Sequence, residues 1–349
     1  MREGMNRMTK VTVDKFASST YRLDLANPVE LAKECAAEPG TVVVVRALTE
    51  NPNYPDLELA DGRLERIRAG DVIVGVLGSR QALRGFVGYS PYKLRPGDRL
   101  NLLNLGGVIG RCIDGHKDLG QAVQVEVLGC AARGRAVLNL KQAALPPVPV
   151  LAPTKPIVLV VGSCMNVGKT AVASEIIRHF AKAGQRVGAA KLSGIACLRD
   201  LRRFEAAGAS KVLSFLDAGV PSTVDAEDAG AIARTVIGHL GTAPIDLIVL
   251  ELGDGLLGHY GVDRVLDDRA VMGGVGATVY CASDLVSAWG GVDLLGRKGI
   301  TVDAISGPAT DNVSGTTWIE GTMNIRAANA LTEGPKLMEI LQGRLGVHA

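Results

Sequence analysis

The residues Gly162-Ser163-Cys164-Met165-Asn166-Val167-Gly168-Lys169-Thr170 bring together the side chains and backbone freedom that bind phosphate. Glycines let the backbone turn its N–H groups inward. A lysine supplies a cation for β- and γ-phosphate oxygens, and a threonine hydroxyl can ligate Mg²⁺. The apolar run Ile157–Val161 precedes the loop and an amphipathic run from Lys169 follows it. The loop therefore falls at a strand-to-helix turn, where the helix dipole favours an anion. Gly162, Ser163, Asn166, Val167, Gly168, Lys169, Thr170 and Ala171 are the expected phosphate contacts. The spacing is G-x5-G-K-T counted from Gly162; Ser163 stands where the commoner G-x4-G-K-[ST] pattern has glycine.

Two further positions follow apolar runs. Lys191 leaves the run Arg186–Ala190, and Glu251 ends Leu247–Glu251 before Leu252-Gly253-Asp254-Gly255-Leu256-Leu257. An acid at the end of a hydrophobic strand is placed to hold Mg²⁺, directly or through water. A second cation facing Lys169 suits an anionic substrate or the charge that develops on a transferring phosphate, so Lys169 and Lys191 are the catalytic candidates. The plainer alternative for Lys191 is a lysine capping an exposed strand end.

These positions need a scaffold that gathers strand ends. From residue 157 on, strands at Ile157–Val161, Arg186–Ala190, Lys211–Phe215, Leu247–Glu251, Ala277–Ala282 and Thr301–Ser306 alternate with helices at Lys169–Ala183, Arg199–Ala207, Ala226–Leu240 and Leu285–Lys298. Continuous apolar strands joined through amphipathic helices predict an α/β fold with a doubly wound, mostly parallel P-loop sheet, whose ligands sit at the carboxyl ends of the strands. Before it the chain reads as a smaller β-rich domain, a barrel or a sandwich. Its strands are Thr41–Arg46, Asp71–Leu77, Arg99–Asn104, Ala122–Leu128 and Arg135–Leu140, with one helix at Pro28–Ala37. Thirteen glycines between Gly70 and Gly134 suit its corners. The Pro146-Pro147-Val148-Pro149 stretch, with Pro153 and Pro156, marks a stiff joint, giving domains 1–150 and 151–349.

The glycine directly after the strand, the lysine leaving the second strand and the E-x-G-x-G-L-L segment resemble dethiobiotin synthetase and the cobyrinic acid amide synthases. Cys164 stands where the chromosome-partitioning ATPases carry an extra lysine, so the chain departs from that subgroup. The loop is also similar to that of uncharacterised bacterial proteins whose N-terminal half looks Rossmann-like, unlike this one. The resemblance covers about residues 156–310. It implies that Lys191 lies beside the phosphate and an activated carboxylate, and that Asp200 joins Thr170 and Glu251 in the metal shell, although the helix dipole alone also favours Asp200. It places Asn312, in Gly307-Pro308-Ala309-Thr310-Asp311-Asn312, near the nucleotide base. Asp254 departs from the small residue usual in the family, which implies a different substrate or a second carboxylate acting as base. The stretch from Asp200 to Ala209 is similar to the P-loop protein of molybdopterin guanine dinucleotide synthesis; Arg202 and Arg203 read equally as further anion contacts or as solvated helix charges.

Composition bounds the rest. A net charge of +2 gives no electrostatic case for nucleic acid, and no apolar run approaches the length of a membrane span. Six cysteines spread singly, without a C-x-x-C pair, suit a reduced cytoplasmic chain. His116, His179, His239 and His348 show no ligand spacing and read as surface residues. The stretch from Gly253 to Gly276, with His259 and Tyr260, reads equally as a lid or a loose loop. Without an N-K-x-D run, ATP is expected over GTP. The reading is thus an ATP- and Mg²⁺-dependent enzyme that activates a small anionic metabolite, a carboxylate, by ligase-like chemistry. A nucleotide-hydrolysing switch or chaperone for cofactor assembly, and a simple small-molecule kinase, are the alternatives. A homodimer is expected from the relatives.

Overall fold

The computed structural model describes residues 9–32, 34–152 and 155–346. The extreme N-terminus up to Met8, Pro153 of the proline-rich joint and His348 lie outside the described residues. The chain falls into two compact units. The first runs to Ala144 and includes Ile195–Leu198 and Gly219–Asp225; the second comprises Leu145–Gly194, Arg199–Ala218 and the chain from Ala226.

In the first unit, five strands close into a ring. Val42–Ala47 pairs with Val72–Leu77, that strand with Val108–Gly115, then Arg99–Leu102, then Gln124–Arg133, which returns to Val42–Ala47. Closure satisfies the backbone of what would otherwise be exposed sheet edges. Val43, Val45, Ile73, Leu77, Leu100, Leu102, Ile109, Val125 and Val127 fill the interior. Close approach within the ring explains Gly75: a Cβ there would lie 2.4 Å from the carbonyl oxygen of Gly107. Where a helix is predicted at Pro28–Ala37, the chain instead forms the strand Val29–Leu31. Val29 and Leu31 are buried on alternate positions, and Glu30 pairs with Lys10 at the edge, a period of two rather than 3.6. The predicted strand Arg135–Leu140 shortens to Ala136–Val137 before a single 3₁₀ turn at Leu140–Ala143.

The segment Ile195–Leu198 is bound into this unit by a buried acid and amide. Glu58, 1% exposed, accepts the Leu198 N–H through Oε2 at 2.6 Å, while Cys197 Sγ donates to Oε1 at 3.4 Å. Asn104 Nδ2 donates to the Ala196 carbonyl at 2.6 Å.

Within the second unit we number strands β1 Ile157–Gly162, β2 Val187–Ser193, β3 Lys211–Ser214, β4 Leu247–Leu252, β5 Val275–Cys281, β6 Ala304–Ser306 and β7 Arg326–Ala327. The helices are α1 Lys169–Lys182, α2 Arg199–Ala206, α3 Ala229–Gly241, α4 Val262–Asp267, α5 Arg269–Met272, α6 Leu285–Arg297, α7 Val313–Met323 and α8 Gly334–Leu345. The sheet runs β3-β2-β4-β1-β5-β6-β7, every pair parallel. Alternate residues of β1 bury on opposite faces. Val158 and Val160 pack with Val172, Ile176 and Phe180 of α1, whereas Ile157, Leu159 and Val161 join Ala233, Val236 and Leu240 of α3 on the other side. Covering both faces is what makes these strands continuous apolar runs.

The glycine-rich stretch from Gly253 is packed over most of its length. Val262 and Val265 of α4 and Val271 of α5 are buried, as is Tyr260, and the exposed positions are Leu257–His259, Asp263, Arg264, Asp267, Arg269, Ala270 and Gly273. The described histidines read as surface residues are partly exposed, and each has a polar neighbour. His239 Nε2 lies 2.9 Å from the Pro146 carbonyl, and His179 Nε2 lies 3.3 Å from Gln342 Nε2. His116 accepts the Asp118 N–H at 3.4 Å.

Candidate functional site

The loop between β1 and α1 is shaped by its ends. Gly162 completes β1, and its position leaves no room for a side chain: a Cβ would lie 2.7 Å from Val167 Cγ1. The chain leaves the sheet with Ser163 N–H donating to the Cys281 carbonyl of β5 at 2.9 Å. At the far end, Asn166 and Gly168 take left-handed conformations, with φ of 63° and 91°. Val167 is buried between them and Asn166 is exposed at the tip. Gly168 caps α1, whose first turn carries Lys169, Thr170 and Ala171 with unsatisfied N–H groups at the dipole's positive end.

Lys169 is 5% exposed and arches back to donate to the Cys164 carbonyl at 2.7 Å. Burial pushes its ammonium below the ordinary lysine range, an effect that Glu251 partly offsets. An anion in the loop would offer that ammonium a better partner than a carbonyl.

Sheet order brings the acid to the loop. Because β4 lies between β1 and β2, Glu251 is in register with Val160 on one side and Lys191 on the other. Thr170 Oγ1 donates to Glu251 Oε1 at 3.3 Å. Lys191 Nζ lies 3.8 Å from the same oxygen and forms a closer ion pair with Asp200. Burial drives the Glu251 carboxyl above its ordinary range; Lys191 and Lys169 oppose this, while Asp200 reinforces it. Burial also pushes on Asp200, but Lys191, with Arg199 and Arg203 beyond, outweighs it and holds that carboxyl below the usual range.

Glu251 Oε2 is buried with no hydrogen-bond partner among the described residues. An orphaned carboxylate oxygen beside a threonine hydroxyl at a phosphate loop is a fitting donor pair for Mg²⁺, which takes one or two carboxylates and completes its shell with water and phosphate. Among the described residues no three His, Cys, Asp or Glu side chains gather around a common point.

Two glycines beyond Glu251 close the site. A Cβ on Gly253 would lie 2.2 Å from the Ser193 carbonyl oxygen and 2.9 Å from Lys191 Cε. One on Gly255 would lie 2.4 Å from the Ser163 carbonyl oxygen. The backbone from β4 is thus wedged between the end of β2 and the phosphate loop, and Leu256 N–H donates to the Gly162 carbonyl at 3.1 Å.

The structure therefore brings together Lys169, Thr170, Lys191, Asp200 and Glu251. Asn312 caps α7: its Oδ1 accepts the Ser314 and Gly315 N–H groups at 3.0 and 3.2 Å. Asp284 caps α6, accepting the Ser287 N–H at 2.8 Å, and Ser283 Oγ donates to the Asp284 carboxylate at 2.8 Å. Sequence reasoning missed two residues. Ser193, fully buried, donates to the Gly253 carbonyl at 3.0 Å and fixes the wedge, yet no spacing marks it. Gly307 abuts the loop, since a Cβ there would lie 2.9 Å from the Val167 carbonyl oxygen. Its place directly after β6 was the available signal.

No family model matches the chain, and no curated protein matches it. Solved structures similar to it include the signal recognition particle 54 kDa protein of Aeropyrum pernix K1 in complex with GDP, at 20% identity and a TM-score of 0.39, covering 59% of this chain and 51% of that one. Cell division protein FtsY of Thermotoga maritima is similar at 18% identity and a TM-score of 0.39, covering 54% and 66%. Chloroplast FtsY of Physcomitrella patens is similar at 14% and 0.39, covering 58% and 70%. The match spans about half of the first of these proteins, and scores at this level assign no family. The strand–loop–helix turn, the buried lysine and the acid on the neighbouring strand lie on a doubly wound, parallel P-loop sheet.

Proposed function

We propose that the chain hydrolyses a nucleoside triphosphate with Mg²⁺. The observation that carries this is the conjunction of Lys169, Thr170 and the orphaned Glu251 carboxylate at one strand-to-helix turn. Thr170 and Glu251 would hold Mg²⁺, which neutralises phosphate charge when bound. The N–H groups from Asn166 to Ala171 bind the phosphate oxygens, and Lys169 leaves the Cys164 carbonyl to meet the β- and γ-phosphates. Lys191, held by Asp200, places a second cation on the opposite side, where charge develops as the terminal phosphoryl group departs.

A second reading, a nucleotide-driven switch, is favoured by one observation. The segment joining Lys191 to Asp200 is counted in the first unit through Ile195–Leu198, so a change at either residue bears on a stretch that Glu58 and Asn104 hold. Carboxylate activation, as in dethiobiotin synthetase, would use the same cations.

The test is phosphate release from ATP and from GTP with Mg²⁺, for the wild type and Lys169→Ala. Loss of hydrolysis in the variant supports the site; equal rates overturn it. Stimulation by a small carboxylate would favour the ligase chemistry, and stimulation by a protein alone would favour the switch. The ATP-to-GTP ratio reads the base preference.

A further inference from the structure

Asp254 sits at the centre of the wedge just described. Its neighbours Gly253 and Gly255 are buried, held against the Ser193 carbonyl on one side and the Ser163 carbonyl on the other, while Asp254 itself keeps partial exposure. Its φ of +67° places a non-glycine residue in the left-handed region, a conformation that costs energy and that surrounding packing must impose. The strain is not needed to turn the chain, since glycine would do so more easily and stands on both sides. What the position gains from aspartate is a carboxylate on the residue between the two wedged glycines, with Oδ2 turned toward Gly258 and close enough to Lys169 for its charge to support that ammonium.

Resting on the nucleotide reading above, we propose that Asp254 is the catalytic residue that orients the attacking water and accepts its proton. The water oxygen forms a bond to the γ-phosphorus as the bond to the β–γ bridging oxygen breaks. The water proton passes to the Asp254 carboxylate, and the nucleoside diphosphate leaves with the electron pair of the broken bond. Lys169 and Lys191 offset the repulsion between this carboxylate and the phosphate. The assignment also names the acceptor: a carboxylate nucleophile carries no proton to remove, so an acid at this position serves water and not acyl-phosphate formation.

Asp254→Asn separates chemistry from conformation, because asparagine tolerates the left-handed region as well as aspartate does. Phosphate release should fall by about 100-fold or more with nucleotide affinity unchanged, as expected for loss of a general base. Asp254→Gly, which relieves the backbone, should be as slow, and added formate should restore part of its rate. Wild-type rates in the asparagine variant overturn the proposal, as does a loss of affinity that accounts for the lost rate. A wild-type protein that hydrolyses neither ATP nor GTP overturns the nucleotide reading together with this one, whereas a wild type that hydrolyses and an asparagine variant that matches it overturn this one alone.

Discussion

Lys191 and Glu251 are register partners on adjacent parallel strands, and the lysine ammonium stands 3.8 Å from the glutamate Oε1 while pairing more closely with Asp200. One cation thereby keeps two low-exposure carboxylates from facing each other uncompensated. The first prediction comes from removing it. Lys191→Met should cost about 3 kcal/mol, the usual penalty for stripping one partner from a buried ion pair, and should lower turnover as well. Urea unfolding compared with phosphate release checks both; an unchanged midpoint would deny that the lysine neutralises the pair.

Gly255→Ala tests the wedge. The added methyl would meet the Ser163 carbonyl oxygen at 2.4 Å, and neither backbone has a flexible end to move. The loop must shift, and displacement of about an ångström at a reacting centre costs about 100-fold in rate. Circular dichroism should stay native while hydrolysis falls. Wild-type turnover would show that the two backbones can separate freely.

Thiol labelling offers a test without mutation. Burial pushes the Cys281 thiol up to about 12, so at neutral pH it stays protonated and shielded. Cys164, half-buried in the phosphate loop, is open to reagent. Mass spectrometry after brief alkylation should find Cys164 modified and Cys281 intact, and Mg²⁺ with nucleotide should slow the reaction at Cys164. Equal labelling with and without nucleotide would place the ligand elsewhere.

The pH dependence has a defined contributor at the start of β2. Side-chain and backbone hydrogen bonds from Arg186 hold the Asp246 carboxyl far below its ordinary value of 3.8. A carboxyl lowered in the folded state stabilises above that ordinary value, and the contribution disappears as pH falls through the folded one. Thermal midpoints of wild type and Asp246→Asn should therefore differ at neutral pH and converge as pH drops below about 3.8. A constant gap across the range would show that this pair does not titrate with unfolding.

Much of the second unit was legible because its strands bury on both faces and its helices on one. Ile157–Val161 and Leu247–Glu251 could hardly be anything but interior parallel strands, and reading the residue after each led directly to Gly162 and Glu251. The sequence did not reveal Val108–Gly115 as a barrel strand, since Gly110, Arg111 and Asp114 interrupt the alternation that marks a half-buried strand. The strand at Val29–Leu31 was hidden by its shortness: three residues cannot establish a period. Ser193 escaped because its role is set by Gly253, some sixty positions away, and only sheet order makes them neighbours. Asn312 was legible as a residue of the loop after β6 but not as the cap of α7, because the sequence does not show where that helix begins.

The excursion of residues 195–198 into the first unit has a practical consequence for anyone dissecting this protein. A fragment cut at the proline-rich joint would keep Lys191 and Asp200 but strip the stretch between them of Glu58 and Asn104, leaving the Leu198 amide and the Ala196 carbonyl without those partners. The joint at residue 150 is therefore not the boundary of the first unit, which takes in segments from beyond it. In domain-swap or truncation work the barrel should travel with residues 195–198, which belong to its own unit although they lie far along the chain.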